Sequence, residues 1–462
     1  MASAFVLLAV AAAVAQGPRE VSLVITNATV IAMNRGRTVL TPGAVAIDGT
    51  TIAAVDRADA IAVGYRGRDT IDAAGAVVLP GLINTHTHAP MVLYRGLADD
   101  LALMEWLQKY IFPAEARTVS PAFVAAGTRL AALEMIRSGT TTYADMYYFE
   151  EEIGRATRAA GLRGVLGETI IQFPSPDAKT PAEGLARTER FIREFAGDPL
   201  ITPAVAPHAM YTLDAETLKQ CSALADRYKV PLLTHLAETE DEVRISEDKH
   251  TMSPVAYLDS LGFWKPGTLA AHGVWLTPED IATLSRNRVA VSHNPESNMK
   301  LASGTAPVLA MRSAGVVVGL GTDGAASNND LDMFEAMRQA SFLAKLGSKD
   351  PRALPAGDAL AMATIDGARA LGMADRVGSI ETGKQADVIV VEMSAPRQTP
   401  MYDPISHLVY VTRGDDVRTV VVAGRVLMRD RKMLTLDEAA VLAEARAMAG
   451  QVREAVGARD KR

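Results

Sequence analysis

The chain has 462 residues, 48% hydrophobic and 22% charged, a balance ordinary for a soluble globular enzyme that excludes wholesale disorder. Net charge is −7, and the densest cationic cluster, Arg429, Arg431 and Lys432, is interrupted by Asp430, so the basic stripe that nucleic acid requires is missing. The single cysteine, Cys221, excludes a disulfide framework and a cysteine-based zinc site, including the Cys-x-x-Cys pair of cytidine-deaminase-type centres. The length suits one large barrel with an added module, or roughly two or three average domains.

Phe5 to Ala15 is an apolar run too short to span a bilayer, and Ala13-Val14-Ala15 offers the small residues that a signal peptidase cleaves after. No Lys or Arg precedes the run. Residues 1–15 read as an export signal to the periplasm, the alternative being an over-extended start upstream of a cytoplasmic enzyme. Residues 1–19 are therefore kept out of the fold. Three strand-like stretches follow, Val21–Met33, Ala44–Val55 and Thr70–Val78, separated by Gly and Asp turn signals. From Leu79 the pattern alternates strand and helix, with strands ending at His88, Asp145, Thr169, His208, His235, His272, His293 and Asp323. The stretch Ser120–Ser138 predicts a helix with Ser120 as N-cap, Pro121 at the first position and Gly139 just past the end. Asp99–Tyr110 reads as another. Eight such alternations over about 250–300 residues predict a (β/α)8 barrel. Ala386–Glu392 and Val417–Val426 are strands again, and Asp437–Val456 a closing helix. The expected organisation is a composite β-sandwich from residues 20–78 and 385–435, a barrel over 79–384 and a C-terminal helix in 436–462.

Of eight histidines, seven lie in the barrel half and six of those fall at or near predicted strand C-termini, the end where barrels build active sites. His86 and His88, two apart on one strand, point the same way and can share a metal. His235 ends a strand and supplies a third nitrogen. Asp323 ends the apolar stretch Val316–Asp323, where an unpaired carboxylate is costly to bury and a metal is its natural partner. Three imidazoles and a carboxylate make an open zinc site, and zinc lowers the pKa of bound water to about 7. Asp323 is placed to take the proton of the attacking water. Glu238, three residues after His235, would shuttle a proton to the substrate ring, or else belongs with Glu240, Asp241 and Glu242 on a solvated helix start. His272 would hold the attacking hydroxide by a hydrogen bond or bind a second metal. The fourth strand, Ile201–His208, contains no lysine to be carbamylated as a bridge between two metals, so one divalent metal is favoured; iron, manganese or nickel would accept the same ligands.

The motifs Pro80-Gly81-Leu82-Ile83-Asn84-Thr85-His86-Thr87-His88, His235-Leu-Ala-Glu238, Ser292-His-Asn-Pro295 and Gly321-Thr-Asp323-Gly324 resemble those of the amidohydrolase superfamily. Gly378-Ser-Ile-Glu-Thr-Gly383-Lys-Gln-Ala-Asp387 is similar to that family's return into its sandwich. Within it, His88-Ala-Pro-Met91, Arg95-Gly96, Glu105-Trp106, Pro207-His208 and Gly321–Asn329 look like the 5-methylthioadenosine/S-adenosylhomocysteine deaminases. The resemblance implies zinc on His86, His88, His235 and Asp323. It also implies substrate contacts from Glu115 to ribose hydroxyls and from His208 and Glu238 to the purine ring, with Asp323 touching substrate as well. Read without the family, Glu115 is a solvated surface group, and Trp106 is either core packing or a stacking wall for adenine. One departure stands out: members that bind S-adenosylhomocysteine carry arginines after the third strand, whereas Gly167–Thr180 has Glu168 and Lys179 but no arginine.

The reading is thus a hydrolytic nucleoside deaminase with a small-molecule substrate, no nucleic-acid partner and no membrane in the mature form; homo-oligomerisation stays open. The enzymatic alternatives are a deaminase of another aromatic amine or a triazine-type chlorohydrolase. From a different class, a non-catalytic barrel scaffold would be expected to have lost metal ligands, and all four are kept.

Overall fold

The computed structural model describes residues 17–457; the apolar start read as an export signal lies outside them. Eight parallel strands run in chain order around a barrel: β1 Leu82–Thr87, β2 Thr140–Tyr147, β3 Arg163–Ile170, β4 Ile201–Pro207, β5 Leu232–Leu236, β6 Thr268–His272, β7 Ala290–His293 and β8 Val318–Leu320. Helices separate them, as the alternating pattern predicts. The N-terminal end is stoppered: Ile83, Val165, Leu233 and Leu269 form one buried cluster with Ala368 and Met373, which follow the last strand. Only the opposite end is left for a site.

Local sequence accounts for most of the helix ends. Ser120 Oγ accepts from Phe123 N, Pro121 begins the helix Pro121–Arg137, and Gly139 leaves it at φ +87°. The expected helix over Asp99–Tyr110 is different in register and type. A turn of α-helix at Leu103–Glu105 passes into a π-helix at Trp106–Ile111 and back to α-helix at Phe112–Thr118. Pro113 has no N–H to give to the preceding turn, and Phe112 N reaches back five residues to the Leu107 carbonyl instead.

The second unit is a nine-stranded mixed sheet built from both ends of the chain. Val388–Val391 pairs antiparallel with Val77–Pro80, and Arg19–Ile31 runs parallel to Tyr65–Asp72. Three stretches read as single strands are each interrupted, two of them by a reversal. Ala44–Val55 is the hairpin Val39–Asp48 and Thr51–Arg57, turning at Gly49 (φ +59°). Thr70–Val78 is split at Ala74-Gly75, where φ is +51° and +85°. Likewise Val417–Val426 turns at Ala423-Gly424, both at positive φ, as a two-residue hairpin requires.

A buried ion pair fastens this sheet to the barrel. Arg163 at the start of β3 donates from Nε and Nη2 to the two carboxylate oxygens of Asp387 at 3.0 and 3.1 Å. The helix Glu438–Gly457 lies along Pro121–Arg137, with Arg129 on Glu444 and Arg137 on Glu438. Among the described residues no single helix is long and apolar enough to cross a membrane.

Candidate metal centre and active site

Five histidine rings gather at the open mouth: His86, His88, His208, His235 and His272. His86 and His88 come from the end of β1, His235 from β5 and His272 from β6, while Asp323 follows β8 in the loop rather than inside the strand. The sixth strand-end histidine does not join them. His293 leans outward and lines a separate hollow with Ala340 and Leu343, because on β7 it is Ser292 that faces the interior, hydrogen-bonded to Thr85 at 2.6 Å.

The backbone decides where the imidazole protons sit. His88 Nδ1 donates to the Met146 carbonyl at 2.7 Å, and His235 Nδ1 donates to the His208 carbonyl at 2.8 Å. A carbonyl only accepts, so each Nε2 is left presenting a lone pair. These two Nε2 atoms face one another at 3.3 Å. Asp323 Oδ1 lies 3.3 Å from His88 Nε2 and 3.4 Å from His86 Nε2, and His86 Nε2 is buried without a hydrogen-bond partner. Electron-rich atoms converging so closely repel unless a cation lies among them. The electrostatics show the same demand for positive charge at this point. Burial opposes charge on His88, yet the Asp323 carboxylate outweighs it and lifts the ring to about 9. Burial likewise pushes Asp323 up, but His86 and His88 hold it well below the usual carboxylate range. Three imidazole nitrogens and one carboxylate oxygen fit a divalent zinc ion with a position left open. His86, His272 and Asp323 form a second close set of donor atoms.

The candidate ligands are held in place by further residues of the site. Asp323 sits at φ +63°, a strained conformation for a non-glycine residue. Its Oδ2 accepts from Ser297 Oγ at 2.7 Å and Ser327 Oγ at 3.0 Å, and its Oδ1 accepts from Gly324 N at 2.8 Å. A side chain on Gly321 would lie 2.4 Å from Asn294 Oδ1, so glycine alone lets β8 pass behind His86. On β2, Asp145 Oδ2 accepts from Thr87 Oγ1 and from Ala89 N, both at 2.5 Å. It thereby clamps the residues on either side of His88.

Glu238 is buried and reached through Ala237, whose φ of +46° turns the chain inward. Its amide donates to Glu242 Oε2 at 3.0 Å, and its Oε2 lies 3.7 Å from His272 Nε2. Burial lifts the Glu238 carboxyl to about 7, His272 opposing. The solvated-helix reading of this residue is therefore set aside. His272 Nδ1 donates to Asn298 Oδ1 at 2.9 Å, which leaves Nε2 as an acceptor. His208 is pushed down to about 3 by burial and the neighbouring imidazoles, so its ring is neutral.

A cavity with about 60 Å³ of water-accessible space opens from these groups. Trp106 lines it rather than packing solely into the core, and Glu115 stands on its wall, buried rather than solvated. Tyr147 donates its hydroxyl to Glu115 Oε1 at 2.7 Å. Of the supporting residues, Ser297 and Asn298 lie just past the Ser292–Pro295 motif, beyond Glu296, and are within reach of a longer reading. Tyr147 carried no signal.

A strand-end cluster of metal-ligating side chains on a (β/α)8 barrel defines a metal-dependent hydrolase. The amidohydrolase family model matches residues 77–427, and the chain belongs to that family. It is 48% identical over 437 residues to a 5-methylthioadenosine/S-adenosylhomocysteine deaminase of Syntrophobacter fumaroxidans, covering 95% of this chain and 100% of that protein. It is 47% identical to a 5'-deoxyadenosine deaminase of Methanothermobacter thermautotrophicus, over 83% of this chain and 89% of that one. Among solved structures, a zinc-bound adenosine deaminase from Xanthomonas campestris superposes with TM-score 0.93 at 40% identity, covering 95% and 100% of the two chains. An atrazine chlorohydrolase from Arthrobacter aurescens shares the fold, with TM-score 0.86 at 24% identity over 92% of this chain and 100% of that one.

Proposed function

We propose that this protein is a zinc-dependent hydrolytic deaminase of adenine-containing thionucleosides. It converts 5-methylthioadenosine or S-adenosylhomocysteine, with water, to the inosyl product and ammonia. The observation that carries this reading is Glu238, a buried carboxyl poised near neutrality beside the ligand cluster and on the wall of an aromatic-lined cavity. The adenosine and 5'-deoxyadenosine deaminases among its relatives support the same chemistry at C6 of the purine.

His86, His88, His235 and Asp323 would hold the metal. A zinc ion there supplies the Lewis acidity that makes water a nucleophile at neutral pH. The chain's own groups divide the remaining work. Asp323, its Oδ2 held by two serine hydroxyls, accepts the proton that leaves the attacking water. Glu238 delivers a proton to the purine ring as oxygen bonds to C6, Asp323 passes the water proton on to the amine as the C6–N bond breaks, and the proton lost by the new C6 hydroxyl as it becomes a carbonyl returns to Glu238. His272, fixed by Asn298, accepts a hydrogen bond from the incoming hydroxyl. Trp106 offers its face to the base, His208 a neutral ring to the purine edge, and Glu115 its carboxylate to the ribose hydroxyls. The substrate is a small nucleoside and not a polynucleotide, consistent with a net charge of −7.

The test is direct. Zinc-loaded protein is incubated with adenosine, 5'-deoxyadenosine, 5-methylthioadenosine and S-adenosylhomocysteine, and ammonia is assayed. Release from at least one is expected; silence across the panel rejects the reading.

A further inference from the structure

The cavity's sugar end has a distinctive composition. The 5′ carbon is attached to the ring carbon next to the one bearing the 3′ hydroxyl, so a ribose seated on Glu115 lays its 5′ substituent against the same segment, Leu103–Thr118. That segment turns Leu103, Leu107, Ile111 and Phe112 toward the cavity. Past Leu107, Phe112 and Tyr211, which border both spaces, lies a second hollow bounded by Met104, Gln108, Gln172, Phe173 and Asp214. Among the described residues lining either space there is no lysine or arginine. The carboxylates present are Glu115, Glu238 and Asp323 in the first and Asp214 in the second.

Of the nearby cations, Lys109 in the segment Leu103–Thr118 is paired with Glu105 at 2.9 Å, and Arg187 and Lys300 are engaged as well. Arg187, in the helix after β3, is held by Glu151 at 2.8 Å, Glu168 at 3.0 Å and Asp177 at 3.3 Å. Lys300 donates to Asp99 and to Asn329, each at 2.5 Å. Arg163 lies at the far end of the barrel on Asp387. A carboxylate entering the tail region would lose water without gaining a counter-charge and would meet groups of its own sign.

We infer that the 5′ subsite selects by charge, taking neutral tails and disfavouring a tail that carries a free carboxylate by at least tenfold in kcat/KM. This rests on the nucleoside-deaminase reading above. S-adenosylhomocysteine is then the poorer of the two thionucleosides for this chain.

The experiment uses the zinc-loaded full chain and four adenosine derivatives: 5′-methylthio, 5′-butylthio, 5′-aminobutylthio and 5′-homocysteinyl. Calorimetric Kd values for the corresponding inosyl products give a readout free of turnover. The butylthio and aminobutylthio compounds, matched in length to the amino-acid tail, are expected to stay within a few-fold of the methylthio compound. The homocysteinyl compound is expected to fall at least tenfold in kcat/KM, with its product weakened in parallel. Equal kcat/KM for the methylthio and homocysteinyl compounds overturns the inference. So does a loss common to all long tails, which would make the limit steric. Absence of ammonia from every compound strikes the function itself and is distinguishable from both.

Discussion

The backbone amide of Asp323 donates to the carbonyl of His86 at 3.0 Å, while Asp323 Oδ1 stands 3.4 Å from the His86 ring. The contact that joins the end of the last strand to the first thus also sets two candidate ligands side by side. Barrel closure and the convergence of the candidate metal ligands are one structural fact here.

Glu238→Gln removes a titratable group and leaves His86, His88, His235 and Asp323 untouched. The variant should bind zinc in wild-type stoichiometry, measured by emission spectroscopy, while kcat falls by about 10²–10⁴-fold. Full activity in that variant would remove Glu238 from the mechanism.

Asp145 touches no ligand ring, yet its Oδ2 accepts from Thr87 and Ala89, the neighbours of His88. Asp145→Ala should lower zinc affinity by about 10–100-fold in chelator competition with an unchanged circular dichroism spectrum. Unaltered affinity would show that β1 holds His88 without this clamp.

Glu115 carries a cost that depends on pH. Burial raises its carboxyl from 4.5 to about 7, with Tyr147 and His88 pulling the other way. The folded protein therefore keeps a proton that the unfolded chain releases, and stability falls as pH rises from 4.5 through about 7. The penalty is complete above that window and absent below it. It amounts to about 3 kcal/mol. Glu115→Gln, which keeps an acceptor for Tyr147, should be more stable than wild type in urea unfolding at about pH 8 by up to that amount. The gap should close toward pH 4.5, and KM for the nucleoside should rise at every pH. A variant less stable than wild type above neutrality would contradict this account.

Asp387→Ala strands the guanidinium of Arg163, which is 1% exposed, and takes an acceptor from Ala423 N. Loss of one partner of a buried pair costs about 3–5 kcal/mol. Urea midpoints should drop accordingly, with kcat of the folded fraction retained. A shift under about 1 kcal/mol, the value of a surface pair, would mean that the pair is not load-sharing between the two units.

Much of this was legible beforehand because it rests on short-range rules. Period-two spacing put His86 and His88 on one face, and Ser120, Pro121 and Gly139 marked a helix from end to end. What escaped depends on packing between distant segments. The π-helical Trp106–Ile111 arises from one missing donor at Pro113, which periodicity averages away. The hairpin at Gly49 is the exception, since Asp48-Gly49 between Ala44–Ile47 and Ile52–Val55 is itself a short-range turn signal. Glu115 looks like any carboxylate after a proline until Tyr147, far along the chain, donates to it. His293 followed the strand-end rule but sits on the outward side of its pleat, a distinction that a shift of one residue reverses.

The Arg163–Asp387 pair has a consequence for anyone recombining this scaffold. A donor barrel cannot be transplanted onto a foreign β module unless the incoming module brings an acid at the position of Asp387, or the barrel's own arginine is exchanged for an apolar residue in the same step. The seam between the two units is chemically keyed, and swaps that ignore the key should yield insoluble chimeras even where every catalytic side chain has been preserved.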